Sequence, residues 1–488
     1  MCKVLFGLAI MLYGAMAMAQ TATDDPLQQA AEARAARLAG LGDKAPKLQQ
    51  VAAFGPGAVE RWQWPNGVQV LLAADAQAPV VAVHSWLGVG SADEAVGQTG
   101  LAHLLEHLMF KATKIQPAGS FDRLLEAHGA SANAATWVDW TMYHQVVPPA
   151  VVPQVLQLEA DRLTGLKLSV NAVKSELDVV KNERRETVDA DPDGQVQEAL
   201  GKLLFGAHPY GHPTVGWAAD LDAANKDTVL AFYKARYAPA NLMLVIAGGF
   251  DADAVLTALA THYGALPAGP VPPRVAPVVV AAGAARQANL VLDAHAARLA
   301  VAWPTVALGH RDHMALAVLA EVLCGADSAR WHKLLVDDTQ IASDVSCHQS
   351  EMRLAGALEL TVTLRPGKSA AQALKLVDTA AAALLGAEPV TDAEVAAAQN
   401  RMRTDVWREL ASVDGRADVL GRAWATTGTL TSATHWATMV AAQTAQTINA
   451  AVKTYCKLAE RRAILADPAP PASTRKRSNR MVAQAGQR

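Results

Sequence analysis

Gly100-Leu101-Ala102-His103-Leu104-Leu105-Glu106-His107-Leu108 is the stretch on which the reading of this 488-residue chain turns. On a helix, positions three and four apart share a face, so His103, Glu106 and His107 converge while Leu104, Leu105 and Leu108 pack elsewhere. Two neutral imidazoles at that spacing can hold one zinc ion, and a catalytic zinc needs a third protein ligand and an open position for water. The acidic stretch Ser175 to Thr187 supplies candidates: Glu176 and Glu183 lie two turns apart on one helix face, with Glu186 close by. Glu106, beside the ligands but not needed as one, is placed to act as general base.

Outward from this helix, the chain alternates between strand and helix patterns. Upstream, an alanine-rich, helix-prone lead runs from about Asp25 to Lys47, and Glu60 to Leu72 carries the turn signal Pro65-Asn66-Gly67 between apolar residues, a hairpin. A buried strand is expected at Val80 to Leu87. Downstream, Phe121 to His128 reads as helix and Ala130 to Val146 is rich in strand formers. Helices are expected over Ala150 to Leu163, Asn171 to Thr187 and Leu221 to Tyr237, then a strand over Leu242 to Ala247. Five prolines between Leu266 and Pro277 mark a stiff linker. Beyond it, strands at Asn289 to Leu292 and Arg298 to Trp303, a helix from His310 to Leu323, and a helix opened by the capping pair Thr391 and Glu394 repeat the order of the first half. A duplicated domain with one metal-bearing copy is the simplest account.

The remaining composition narrows the classes. Hydrophobic residues are 51% and charged residues 18%, which suits an extensive buried core and argues against disorder. A formal net charge of −3 gives no electrostatic reason to expect nucleic acid. Lys3, the apolar run Val4 to Met16 and Ala17-Met18-Ala19 read as a cleaved export signal over 1–19, shorter than a membrane span, so a periplasmic protein without stable membrane insertion is expected. Only Cys324, Cys347 and Cys456 lie beyond it. Cys324 with Cys347 is a possible pair, but no redox or zinc-ribbon spacing is present, so burial of the thiols as small hydrophobes is the expectation. The basic Arg475-Lys476-Arg477 follows a proline-rich segment and reads as a disordered tail.

From Trp62 to Thr113, the residues Asn66-Gly67, Gly90-Ser91, Glu94, Gly100-Leu101-Ala102 and Phe110-Lys111 around the motif closely resemble one family: pitrilysin, insulin-degrading enzyme and mitochondrial processing peptidase. These are zinc peptidases with the inverted motif HxxEH, and the chain is most similar to the short two-domain bacterial members. The likeness continues through Asn133-Ala134-Ala135-Thr136, His208-Pro209-Tyr210-Gly211, Tyr237 to Asn241, Leu323 to Ala329 and Arg416 to Gly421. It implies an α/β fold of two homologous α/β rolls, each a mixed, mostly antiparallel sheet with packed helices, facing across a chamber. The organisation then expected is a signal over 1–19, an N-terminal helical extension over 20–54, a zinc-bearing domain over 55–265, the linker over 266–277, a metal-free domain over 278–466 and the tail over 467–488.

The resemblance also implies roles. His103, His107 and Glu183 would hold one zinc ion per chain, and Glu106 would be the base. Glu176 would accept the free N–H of a ligand histidine. An edge strand carrying Asn133 and Ala134 would pair with extended peptide substrates. Active relatives carry an arginine and a tyrosine in the second half that hold the substrate carbonyl. Here Val336 and Ser343 stand at those positions, and neither can do that work. The expectation is therefore a zinc endopeptidase acting on short or unfolded peptides as half of a heterodimer, with a related partner that lacks HxxEH and supplies the arginine and tyrosine. The rival classes are a non-catalytic assembly or peptide-binding subunit of the same fold, and metal storage or transport.

Overall fold

A computed structural model describes residues 26–269, 280 and 285–469. The leader expected over 1–19, residues 270–277 of the expected linker and the chain beyond 469 lie outside the described residues.

Among the described residues, twelve strands form two sheets. The first contains β1 (Lys47–Phe54), β2 (Gly57–Gln63), β3 (Gln69–Ala74), β4 (Val81–Leu87), β5 (Ser131–Thr136), β6 (Thr141–Val147) and β7 (Leu242–Gly248), in the spatial order β1-β2-β3-β7-β4-β6-β5. The second contains β8 (Arg286–Leu292), β9 (Arg298–Thr305), β10 (Ala342–Gln349), β11 (Gly356–Leu364) and β12 (Arg462–Pro468), in the order β10-β11-β9-β12-β8. In each sheet one pair is parallel, β3 with β7 and β8 with β12, and every other pair is antiparallel.

Removing β1 and β2 makes the duplication explicit. In both sheets the first strand runs parallel beside the last, the second and fourth follow, and the third lies at the edge. The strands β5 and β10 are thus equivalent edges. The turn at Pro65-Asn66-Gly67 joins β2 to β3 as expected, with Asn66 donating to the carbonyls of Tyr263 and Leu266.

Three expectations need correction. The N-terminal extension is helical over α1 (Pro26–Leu38), but residues 47–54 form β1, because their backbone pairs antiparallel with β2 from Lys47↔Gln63 to Phe54↔Gly57. The tail does not begin at 467: Asp467 and Pro468 still pair with Val291 and Leu292 of β8. Cys324 and Cys347 are not buried as free thiols but form a disulfide, because the helix ending at Cys324 lies on the edge strand β10 with the two Cα atoms 5.4 Å apart. Closing that loop restricts the unfolded chain by about 3 kcal/mol. Cys456 remains free and buried, its thiol pushed up to about 12 by burial.

Each sheet has two faces to cover, and the halves cover them reciprocally. The first sheet buries one face against its own helices, among them α2 (Leu101–Leu108) and α3 (Val170–Arg184), through Val83, Leu87, Leu244 and Ile246. A helix of the first half, α4 (Pro192–Phe205), instead presents Val196, Leu200 and Leu204, four residues apart, to Ala300, Ala302 and Ile464 of the second sheet. Burying three such side chains contributes about 1.5–3 kcal/mol each.

In the second half, α5 (His313–Cys324) packs on its own sheet, and α6 (Asp392–Leu410) opens on the expected capping box of Thr391 and Glu394. The next helix, α7 (Val413–Thr427), crosses back to the outer face of the first sheet, where Ala417, Leu420 and Trp424 meet Trp86, Met243 and Val245. Gly421 allows that approach, since a Cβ there would stand 2.0 Å from the Trp86 ring. The covalent halves are therefore interlocked.

Candidate metal centre

Local capping fixes where the motif helix starts. Gly100 has φ +88°, and a Cβ on it would lie 2.7 Å from the Val215 carbonyl oxygen, so only glycine fits. The amides of Gly100 and Ala102 donate to the two oxygens of Glu94, at 2.8 and 2.7 Å. That carboxylate is fully buried, and burial pushes its pKa well up against the stabilisation from the two N–H groups. Leu104, Leu105 and Leu108 are wholly buried on one side, which turns His103, Glu106 and His107 toward α3.

The structure brings His103, His107 and Glu183 together, with one donor atom of each within 4.8 Å of the others. His103 Nε2 lies 3.6 Å from Glu183 Oε1, and His107 Nε2 lies 3.4 Å from Glu183 Oε2. Donors about 2.1 Å from one tetrahedral centre stand about 3.4 Å apart, so these separations suit a shared ion better than direct hydrogen bonds. Burial lowers the pKa of His103 to about 4, which keeps its imidazole neutral, the form a ligand needs.

His107 experiences the opposite field: Glu183 first, then Glu106 and Glu176, raise its pKa. Glu183 is correspondingly lowered by His107 and His103. This is a pocket whose carboxylates favour a positive charge, and a divalent cation meets that demand more fully than a proton. The donor set therefore fits zinc.

Of the three glutamates left open by spacing, Glu183 joins the donors. Glu176 sits behind His107, with Oε2 3.5 Å from Nδ1, while its Oε1 is held by Lys111 Nζ at 2.6 Å. Glu186 lies exposed in the turn after α3.

Glu106 is largely buried and stands beside these donors without belonging to the group. Its Oε2 accepts a hydrogen bond from Thr136 Oγ1 at 2.6 Å. Burial raises the pKa of its carboxyl, partly opposed by that bond and by His107. Thr136 and Lys111 carried no role in the sequence reading. Thr136 is on β5, and alternation along the strand was the signal that could have placed it on the Glu106 side.

Asn133 and Ala134 lie on β5, the free edge of the first sheet, paired inward with His144 and Tyr143. The Ala134 amide donates to Asn133 Oδ1. Asn133 is exposed and Ala134 half-buried.

In the second half, Val336 packs against the apolar core, and Ser343 Oγ on β10 donates to the Thr363 carbonyl. Arg330 spends its guanidinium on both oxygens of Glu394 and the carbonyls of Glu388 and Pro389. That pairing lowers the Glu394 carboxyl from 4.5 to about 2. Because the folded value is below the unfolded one, the contribution is complete above about 4.5 and disappears as pH falls toward 2. Arg330→Ala is expected to cost about 1–3 kcal/mol at neutral pH, with the penalty shrinking in acid. Urea unfolding at pH 7 and pH 3 checks this, and an unchanged midpoint at pH 7 would contradict it.

Comparison with known proteins identifies the family. Residues 69–217 match the family model for insulinase (peptidase family M16), and residues 223–402 match that for the peptidase M16 inactive domain. An uncharacterised zinc protease of Mycobacterium tuberculosis is 27% identical over 399 residues, covering 81% of this chain and 90% of that protein. The zinc protease PqqE of Helicobacter pylori is 29% identical over 295 residues, 59% of this chain and 66% of PqqE. A crystal structure of a protease from Helicobacter pylori superposes with a TM-score of 0.80 at 24% identity, over 86% of this chain and all of that one. The two matched segments together span more than half of the sequence and carry the motif helix and the metal-ligand candidates, and the chain belongs to the M16 (insulinase) family of peptidases.

Proposed function

We propose that this chain is a zinc-dependent endopeptidase for short or unfolded peptides, exported to the periplasm, and the zinc-bearing subunit of a heterodimer. The observation that carries the reading is the convergence of His103, His107 and Glu183 with Glu106 poised beside them. When bound, zinc would polarise the scissile carbonyl and acidify the attacking water. Glu106 takes the proton of that water and passes it to the leaving nitrogen, and Thr136 orients the Glu106 carboxylate by its hydrogen bond. Glu176, anchored by Lys111, orients His107 through its Nδ1 side and leaves Nε2 for the metal.

Edge pairing explains the substrate class. A peptide laid along β5 is held by backbone hydrogen bonds, which do not read side chains but require an extended segment. Export is supported by the signal-like residues 1–19 together with the Cys324–Cys347 disulfide, since disulfides persist in oxidising compartments. The names of the Mycobacterium tuberculosis and Helicobacter pylori relatives, both zinc proteases, support the same chemistry here.

Glu183→Ala is expected to lose the ion at this site, because two imidazoles alone leave it without its charged ligand. Zinc per chain, measured by plasma mass spectrometry on the folded variant after dialysis, tests the reading. An unchanged metal content together with unchanged turnover would sink it.

A further inference from the structure

We infer that His84, His144 and Asp414 form a second site for a transition-metal ion, which ties the second half of the chain to the outer face of the first sheet. His84 on β4 and His144 on β6 are directly opposed in register, so both imidazoles leave the same face of the sheet. Their ring centroids are 5.3 Å apart. A cross-strand histidine pair of this kind is a bidentate ligand fixed by the ladder. The third donor comes from the opposing element: Asp414, in the first turn of α7, places Oδ1 2.8 Å from His84 Nε2 and 3.3 Å from His144 Nδ1. One donor atom from each residue lies within 4.8 Å of the others, and the set of two imidazole nitrogens and one carboxylate oxygen repeats that of His103, His107 and Glu183.

This cluster is separate from the catalytic candidate. His84 shares its strand face with Ala82 and Trp86, which pack under α7, whereas Val83 and Leu87 face the side of α2. The His84 side chain is buried, while those of His144 and Asp414 are 25% and 43% exposed, so an ion reaches the cluster from the Asp414 side. Without metal the short contact is a hydrogen bond. An ion about 2.0–2.2 Å from His84 Nε2, His144 Nδ1 and Asp414 Oδ1 would replace these contacts, with the proton of each neutral imidazole on its other ring nitrogen, and requires the groups to separate by a few tenths of an ångström, which the exposed Asp414 side chain can supply. Imidazole-rich sets of this kind select zinc, nickel or copper over magnesium or calcium.

The location gives such an ion a consequence. Asp414 and His84 are 330 residues apart in sequence, and α7 is the helix by which the second half covers the first sheet. His144 is also paired with Asn133 on the edge strand β5, so the cluster sits one strand in from the free edge. A bound ion would fix the position of α7 next to that edge.

The test uses the full-length protein carrying His103→Ala and His107→Ala, which removes the first candidate site. After chelation and dialysis against zinc, this variant is expected to retain about one ion per chain and to gain thermal stability on zinc addition. Adding His144→Gln and Asp414→Asn, both at partly exposed side chains, should abolish the retained ion and the stabilisation while cooperative unfolding persists. Copper loading of the parent variant should show coupling to two imidazole nitrogens by electron paramagnetic resonance, lost with the same substitutions. A folded parent variant that retains no metal, or an ion that survives His144→Gln with Asp414→Asn, overturns the proposal. In otherwise wild-type protein, His144→Gln with Asp414→Asn should lower bound zinc from about two ions to about one, leaving the His103, His107 and Glu183 site loaded and so distinguishing the two sites.

Discussion

Glu106→Gln is expected to lower peptide turnover by about two to four orders of magnitude while leaving zinc content unchanged. The substitution keeps volume and shape in a buried position, and Thr136 Oγ1 can still donate to the remaining carbonyl oxygen. It removes only the ability to accept a proton. Glu106 is outside the group formed by His103, His107 and Glu183, so its loss should not release the ion. The wild-type acid limb follows from the same role. A base is inactive once protonated, so turnover should fall on the acid side as the Glu106 carboxyl takes up a proton. Turnover and bound zinc measured on the same preparation decide the matter: substantial activity in Glu106→Gln would remove this residue from the mechanism, and loss of zinc would make it a ligand.

What could be read from the sequence was what local spacing determines. The motif helix was legible because histidines and leucines separate by three and four residues, and the hairpin because Pro65-Asn66-Gly67 leaves little alternative to a turn. The choice of Glu183 among three glutamates was not legible from spacing, since it depends on how α3 approaches α2, and only the family resemblance singled it out. Strand β1 was hidden because its residues barely alternate in burial, and its pairing with β2 is a backbone matter. The exchange of α4 and α7 was equally invisible. Val196, Leu200 and Leu204 make the same apolar stripe whichever sheet receives it. The disulfide and the His84, His144 and Asp414 cluster join residues distant in sequence, and nothing local marks them.

The purified chain alone is expected to turn over peptides slowly, and a related two-domain partner that lacks HxxEH but carries the missing arginine and tyrosine should raise the rate by about a hundredfold or more. The argument is chemical. Three ligands and Glu106 would suffice to activate water, but the oxygen of an attacked carbonyl gathers negative charge, and donors aimed at it are worth that much in other hydrolases. At the two positions where the family resemblance implies such donors, this chain has a valine packed in the second core and a serine whose hydroxyl is spent on the Thr363 carbonyl. Nearby substitutes are engaged as well. Arg330 is locked by Glu394 and two carbonyls, and His332 Nδ1 lies 3.0 Å from the Asp327 carbonyl oxygen. Moving Arg330 to a substrate would leave Glu394 and those carbonyls without their donor, a cost comparable to the benefit. A partner of the same duplicated fold would avoid that cost by bringing the donors on its own second half. Size-exclusion chromatography and peptide hydrolysis, with and without the candidate partner, provide the measurement. Stable association and a rate increase that disappears when the partner's arginine is replaced would support the division of labour; full turnover by this chain as a monomer or homodimer, unchanged by any such partner, would end it.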